Sequence, residues 1–381
     1  MRNYTVAEIW GIPIRVNTSL LVFLPILAWL IGSGQQIELY AGLIEGLGGV
    51  QFDVARLRAG NTPWVIGLAA AVGLFVSVTV HELGHSWVAL RYGIEIESIT
   101  LWILGGMAAL KTIPREWQRE FWIAIAGPIT SVLLGAVIYV AMLAIANSFQ
   151  VLGFVLGWLA LVNVILAAFN LLPAFPMDGG RIFRALLARN RPYATATRIA
   201  GRVGVIFAFL FAIVGVLNFQ VILLLLAFFI YGAATTESRT VLLDELLDGI
   251  TVSDIMTREP ATVHGETTIE EYGVQMLRDR QTVHLVTDDD GSIRGVVSLD
   301  DVQKVKKGER GTTAVEDVMT REVPTVALGD DAFDTLAFLQ QADNDSAFVE
   351  IEPGLTGLLT QADYSRAISF RRGFASGPPV R

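Results

Sequence analysis

The chain has 381 residues, of which 53% are hydrophobic and only 17% are charged, and its mean hydropathy is +0.53. Such apolar usage is typical of membrane proteins and departs from that of ordinary globular domains. Residues 1–240 carry 15 Lys and Arg against 11 Asp and Glu, whereas residues 241–381 carry 13 against 26. The acidic second half lacks the basic footprint of nucleic-acid binding, and the absence of cysteine excludes disulfides, thiolate ligands and a cysteine nucleophile.

Six apolar segments are long enough to cross the roughly 30 Å of hydrocarbon in a bilayer. The first follows a strand-like stretch, residues 1–16, and we interpret it as an anchor because it lacks the small-residue cleavage site of a signal peptide. The segments lie near residues 17–32, 64–91, 117–146, 151–172, 195–217 and 219–235. The sequence therefore predicts a polytopic α-helical membrane protein of about six transmembrane helices, embedded in the lipid bilayer.

Basic residues in the connections predict how these spans are oriented. They concentrate between the second and third spans and between the fourth and fifth, and loops rich in Arg and Lys usually face the cytoplasm. The residues are Arg91, Lys111, Arg115 and Arg119 in the first connection and Arg181, Arg184, Arg189, Arg191 and Arg198 in the second. With an even number of spans, we expect a multi-pass protein of the cell membrane with both termini in the cytoplasm.

The second span contains the sharpest signal, His81-Glu82-Leu-Gly-His85. Residues four apart on a helix share one face and lie about 6 Å apart along the axis, so two imidazoles can bind one tetrahedral zinc ion. Glu82 then lies near the open fourth position, where it can accept a proton from a water molecule activated by the metal. The alternative is that the two histidines line a helix interface by chance. Ionisable groups inside a span are costly, however, and usually functional.

Residues 99–111, ITLWILGGMAALK, are too few and too rich in glycine for a span, and they begin with β-branched side chains. Beside the metal site, this segment would offer an unpaired strand edge to which an unwound substrate adds by main-chain hydrogen bonds. Unwinding is needed because a helix hides its carbonyl groups from a nucleophile. The alternative interpretation is an ordinary cytoplasmic loop.

A third metal ligand is expected from a carboxylate, because the first 250 residues contain no Cys and no further His. The candidate is Asp178, in a segment whose two prolines and two glycines break the fourth span just before its cytoplasmic end. Irregular backbone at that depth is tolerated where it lines a cavity. The alternative is a turn in which Asp178 merely caps the following helix at the membrane surface.

Together these motifs resemble the site-2 protease family of intramembrane zinc metalloproteases, and the resemblance covers the whole membrane half. It rests on the His-Glu-x-x-His of the second span, on Asn-x-x-Pro and Asp-Gly-Gly at the fourth, and on the Gly-Gly hairpin between them. It implies that His81, His85 and Asp178 bind one Zn²⁺ ion. It also implies that Glu82 is the general base and that Asn170 places the substrate or stabilises the oxyanion. The implied function is hydrolysis of peptide bonds in transmembrane segments of single-span membrane proteins.

An internal repeat organises the acidic half. The sequence from Asp254, DIMTRE, recurs 63 residues later from Asp317 as DVMTRE, and each copy ends in Gly-x-x-Ser/Thr-x-x-Asp. Two units of about 60 residues predict a soluble α+β pair with pseudo-two-fold symmetry over residues 241–370, behind a membrane domain over residues 1–240. Residues 371–381 are rich in Gly, Pro and Ser, and we expect a disordered tail.

The repeat resembles the CBS domain pair. Its closing motifs supply Ser298 with Asp301 and Thr360 with Asp363, which in that family can hold the phosphates and ribose of an adenine nucleotide. The resemblance therefore implies a cytoplasmic regulatory module, with nucleotide binding and a structural or homodimerising role both open. CBS pairs also occur on ion and metal transporters, the rival class. A transporter is expected to have two halves with paired broken helices, and only one span of this sequence is broken.

Overall fold

The computed structural model describes residues 2–48, 50–103, 105–110, 116–352 and 355–375. The chain divides into two compact units, Met1–Arg239 and Thr240–Arg381. The first unit is mostly helical and carries one small sheet, whereas the second is built from two sheets with short helices. Lys111 and Arg115, which contributed to the predicted orientation, lie outside the described residues.

A four-stranded sheet forms part of the membrane unit, in the order β1-β2-β3-β4. The strands are β1 (Asn3–Ile9), β2 (Ile12–Asn17), β3 (Ile96–Trp102) and β4 (Gly105–Leu110). Two antiparallel hairpins, β1-β2 and β3-β4, are joined by parallel pairing of β2 with β3. The strand-like character that the sequence indicates for both segments is thus present, and β4 is an outer strand of the sheet.

The helices of the membrane unit differ widely in length. They are α1 (Thr18–Ile31), α2 (Gly34–Gly48), α3 (Val54–Leu57), α4 (Thr62–Arg91), α5 (Trp117–Ile145), α6 (Gln150–Asn170), α7 (Asp178–Ala188), α8 (Tyr193–Leu217) and α9 (Val221–Leu247). Within the described residues, five of them (α4, α5, α6, α8 and α9) are long and apolar enough to cross a membrane, and the bent pair α1-α2 makes up to six. The prediction of a polytopic helical membrane protein is confirmed.

Helix α1 agrees with the first predicted span, residues 17–32, but it is short and followed by a bend, whereas the last span extends past its predicted end. Helix α1 has 14 residues, about 21 Å at 1.5 Å per residue, which is shorter than the hydrocarbon layer. The chain then bends by 69° into α2. A side chain at Gly32 would meet the carbonyl of Pro63, so glycine lets the bend pass close to the start of α4. Helix α9 continues to Leu247, beyond the predicted end at residue 235, because charged residues lower hydropathy without ending a helix.

Glycines on α4 and α5 bring the central helices into close contact. A Cβ atom at Gly84 would meet the Thr130 side chain, and one at Gly135 would lie 3.1 Å from the carbonyl oxygen of Ala160 on α6. Helices in a bilayer associate mainly through such close packing, because lipid tails are as apolar as the side chains. Helix α5 thus fixes the spacing of α4 and α6, which carry four of the five residues predicted for the membrane site.

The second unit contains two three-stranded sheets, ordered β5-β6-β7 and β10-β9-β8. The strands are β5 (Thr262–His264), β6 (Val283–Thr287), β7 (Ile293–Ser298), β8 (Thr325–Ala327), β9 (Ser346–Glu352) and β10 (Leu355–Thr360). The helices are α10 (Val252–Ile255), α11 (Ile269–Asp279), α12 (Leu299–Lys304), α13 (Ala332–Gln341) and α14 (Gln361–Ala375), with a 3₁₀ turn at Val315–Asp317. In each sheet the first strand pairs in parallel with the second, and the third is antiparallel to the second, so both copies of the repeat share one topology.

The two copies exchange backbone contacts. Thr257, in the opening segment of the first copy, forms a bridge with Leu358 of β10, and Thr320 of the second copy forms one with Val296 of β7. The opening segment of each copy thus pairs with the last strand of the other copy, so the two copies complete each other's sheets. Helix α14 continues to Ala375, so the first part of the predicted disordered tail is helical, and residues 376–381 lie outside the described residues.

Candidate metal centre

Three buried side chains from two helices converge inside the membrane unit. His81 and His85 lie on α4, and Asp178 is the first residue of α7. The Nε2 atoms of the two histidines are 3.1 Å apart, and each is 3.1 Å from Oδ2 of Asp178. Two imidazole nitrogens and a carboxylate oxygen therefore form a compact triangle of potential ligand atoms.

The donor set fits one zinc ion. Tetrahedral zinc with bonds of about 2.0–2.1 Å places its ligand atoms about 3.3 Å apart, close to the observed spacing. Nδ1 of His85 donates a hydrogen bond to the carbonyl oxygen of Ile123 at 2.7 Å, which leaves Nε2 with its lone pair. Nδ1 of His81 lies 2.9 Å from the hydroxyl of Ser131. Partners of this kind orient metal-binding histidines and fix their tautomer.

The Asp-Gly-Gly motif determines how Asp178 is presented. A Cβ atom at Gly179 would meet the backbone of Leu171 and Leu172, and one at Gly180 would lie 2.7 Å from the backbone of Ala174. The first turn of α7 can therefore lie directly on the preceding loop only because both positions are glycine. The N-cap residue of α7 is Met177, so Asp178 does not serve as the cap that the alternative interpretation required.

Gly127 on α5 lies directly behind the two imidazoles. A Cβ atom at this position would overlap Nε2 of His85 and would lie 2.7 Å from Nε2 of His81. The rings cannot easily move aside, because their Nδ1 atoms are held by Ile123 and Ser131. None of these three supporting residues of α5 was predicted from the sequence. Only Ser131, a polar residue in an apolar span, carries a local signal.

A cavity of about 300 Å³ opens beside the triangle. It is lined by Glu82, Asn170 and Arg181, by residues of β4, and by Phe229 of α9. Within the described part of the chain, no hydrogen bond or ion pair holds the half-buried carboxylate of Glu82. A Cβ atom at Gly106 would lie 2.6 Å from Cγ of Glu82, so the backbone of β4 passes close to this side chain. The structure thus brings together the five residues that the sequence predicts for the membrane site.

Two protein-family models match this chain. The model of peptidase family M50 matches residues 69–154 and 146–211, and the CBS domain model matches residues 252–308 and 315–369. A Methanocaldococcus jannaschii protein named zinc metalloprotease MJ0392 is 37% identical over 78% of this chain and 84% of its own length. The chain belongs to peptidase family M50.

Another curated relative and one solved structure are also similar to this chain. Rip3 of Mycobacterium tuberculosis, which carries a zinc metalloprotease name, is 32% identical over 96% of this chain and 92% of its own length. Among solved structures, the site-2 protease from Methanocaldococcus jannaschii is 34% identical and covers 62% of this chain and 96% of its own, with a TM-score of 0.43.

Membership of family M50 makes the chain an intramembrane zinc metalloprotease, and its second unit consists of tandem CBS domains. The predicted family, membrane architecture and zinc endopeptidase activity are confirmed. The rival interpretation as a CBS-regulated ion or metal transporter is not favoured, because the relatives carry zinc metalloprotease names.

In the CBS pair, the residues predicted to bind a nucleotide form hydrogen bonds with each other. Oδ2 of Asp301 accepts hydrogen bonds from the backbone N–H of Ser298 at 3.0 Å and from its hydroxyl at 2.7 Å. Asp363 and Thr360 repeat this arrangement with distances of 2.8 and 2.7 Å. Asp301 also pairs with Lys304 at 2.8 Å, which raises the pKa of that lysine above its ordinary value. The observed role of both motifs is to begin the helices α12 and α14.

The surroundings of the two motifs differ. Thr360 lines a cavity of about 410 Å³ together with Arg280 and Arg366, and Asp363 lines a neighbouring cavity of about 520 Å³. Asp301 lines neither of them. These two cavities therefore do not form a single cleft that contains both Asp301 and Asp363.

Proposed function

We propose that His81, His85 and Asp178 hold the catalytic zinc ion of this protease, and that it cuts single-span membrane proteins within their transmembrane segments. The observation that carries the proposal is the mutual 3.1 Å spacing of the three donor atoms. A zinc ion bound there supplies Lewis acidity, which polarises the scissile carbonyl and lowers the pKa of a water molecule to about 7.

Glu82 serves as the general base in this proposal. Its carboxylate accepts a proton from the attacking water and returns the proton to the leaving amine. Its place in the cavity wall and its lack of a hydrogen-bond partner among the described residues support this role. Asn170, at the end of α6 and in the same wall, donates its side-chain N–H to the substrate carbonyl or to the developing oxyanion.

The substrate is positioned by strand β4. Gly105, Gly106, Met107 and Ala108 line the cavity, and β4 is an outer strand of the sheet formed by the described residues. An extended segment can add to such an edge by main-chain hydrogen bonds, which also exposes its carbonyl groups to attack. The proposal is tested by asking whether the purified full-length chain cleaves a single-span substrate, and whether cleavage requires the carboxylate of Glu82.

Both termini and the CBS pair lie in the cytoplasm in this proposal, supported by the arginine-rich connections after the second and fourth predicted spans. The chain has no cysteine, and Gly308 is an exposed position with open space around it. A single cysteine introduced at Gly308 should therefore react with a membrane-impermeant thiol reagent only after the cells are opened. Labelling of intact cells from outside would contradict the proposed orientation.

We also propose that the CBS pair modulates proteolysis by binding an adenine nucleotide weakly beside Thr360. The cavity of about 410 Å³ is large enough for such a ligand, and Arg280 and Arg366 supply positive charge for phosphate. Titration calorimetry of ATP, ADP and AMP into the full-length chain should give heat that Arg280→Ala weakens. No heat at millimolar nucleotide would contradict ligand binding and would favour docking or homodimerisation.

A further inference from the structure

Arg184 is a buried arginine on α7, 2% exposed. Its Nε and Nη2 atoms lie 2.7 and 2.5 Å from Oε1 of Glu120 on α5, and its Nη1 lies 2.5 Å from Oε1 of Glu237 on α9. The guanidinium is also 4.9 Å from the ring centroids of both Phe175 and Tyr193. One side chain therefore joins three helices and the loop before α7.

The same turn of α5 serves the metal centre. Glu120 lies three residues before Ile123, whose carbonyl oxygen accepts the hydrogen bond from Nδ1 of His85. Arg184 lies six residues after Asp178 on α7, about 9 Å along the helix axis. The ion pair of Arg184 with Glu120 thus connects the element that orients a histidine to the element that begins with the aspartate.

Contacts of Arg184 with the loop before α7 also connect it to Asp178. Phe175 is buried, three residues before Asp178, with its ring against the Arg184 guanidinium. Because Gly180 lets α7 lie on the backbone of this loop, a displacement of the Arg184 side chain would move both the loop and the first turn of α7. The position of Asp178 therefore depends on a charge cluster that does not line the cavity.

Glu120 and Glu237 play unequal parts in this cluster. Glu120 is buried, and its Oε2 has no hydrogen-bond partner among the described residues, so its charge depends strongly on Arg184. The side chain of Glu237 is 32% exposed, so water can replace part of its interaction. Loss of Arg184 would leave a buried carboxylate unpaired, whereas loss of the Glu237 charge removes one anchor and keeps the other.

We infer that Arg184 is a positioning residue that sets Asp178 relative to His81 and His85 through its paired contacts with Glu120 and Glu237. This inference rests on the proposed function, because it requires the three residues to share a metal ion. Lysine at position 184 keeps the charge but loses the planar fork that contacts two carboxylates at once. Asp178 would then be held less firmly at its distance from the histidines.

Cobalt binding tests the inference without relying on activity. Full-length protein in detergent is titrated with Co²⁺, and the visible absorption of the bound ion is recorded for wild type, Arg184→Lys and Glu237→Gln. We expect the dissociation constant to rise about 10- to 100-fold in Arg184→Lys, as when outer partners of metal ligands are removed, and by a smaller factor in Glu237→Gln. Glu245→Gln makes the same chemical change on an exposed part of α9 and should bind as wild type does.

The absorption spectrum separates positioning from simple instability. A variant that only folds less completely binds fewer cobalt ions, but each bound ion keeps the wild-type spectrum. Displacement of Asp178 should shift the Arg184→Lys spectrum towards that of Asp178→Asn. Wild-type affinity and spectrum in both Arg184→Lys and Glu237→Gln would overturn this inference and leave the proposed metal site unaffected. Failure of the wild-type chain to bind cobalt, or a wild-type spectrum in Asp178→Asn, would overturn the proposed metal site and the inference with it.

Discussion

Replacement of Glu82 by glutamine should lower the rate of peptide hydrolysis at least about 100-fold while leaving the zinc ion bound. The amide has nearly the same size as the carboxylate and keeps most of its hydrogen-bonding capacity, but it cannot accept the proton of the attacking water. Glu82 lines the cavity without belonging to the triangle of metal-binding atoms, so the metal should remain. The measurement is cleavage of a single-span substrate in detergent, with zinc determined per chain in the same samples.

The matched control is Glu8→Gln, which makes the same change at an exposed residue of β1. It should cleave at the wild-type rate. If Glu82→Gln also cleaves at the wild-type rate with one zinc ion per chain, the proposed mechanism is wrong, because the reaction would then not need this carboxylate as its general base.

Removal of a metal-binding histidine should abolish zinc binding as well as proteolysis. His81→Ala or His85→Ala leaves only two protein ligands, the other histidine and the buried carboxylate of Asp178, which loses a partner at 3.1 Å. We expect elemental analysis of each purified variant to find far less than one zinc ion per chain, with no cleavage above background. His264→Ala changes a histidine of the CBS unit and should retain both zinc and activity.

Asp178→Asn is the intermediate case of this prediction, since a neutral amide is a poor zinc ligand but keeps the shape of the loop. It should weaken zinc binding and reduce activity, with recovery when zinc is added in excess. Stoichiometric, tightly bound zinc in His81→Ala would instead place the metal elsewhere in the chain.

Local spacing made the core of the site predictable. His81 and His85 are one helical turn apart, so their common face follows from helix geometry, and Asp178 followed from the scarcity of other ligands and the broken span. The supporting residues could not be predicted in this way. The Ile123 carbonyl and Gly127 meet the imidazoles because of how α5 packs against α4, and no local pattern records that packing.

Arg184 shows the same limit. In the sequence it is one of several arginines between two spans, and it counted only as an indicator of orientation. Its carboxylate partners lie 64 and 53 residues away, so its burial appears only in the fold. The CBS motifs show the converse. A Ser or Thr three residues before an Asp is also a helix-capping pattern, and that purely local reading describes the bonds of Ser298 with Asp301.

Gly127 limits how this protease can change over evolutionary time. Every other amino acid adds at least a Cβ atom, which would overlap the imidazole of His85, so a lineage that keeps the metal has one residue available at this position. Elsewhere on the same helix, apolar residues such as Leu133 and Val137 are exposed and can drift among similar side chains. Within three turns, helix α5 therefore contains one position that tolerates only glycine and an exposed face whose apolar residues can be exchanged.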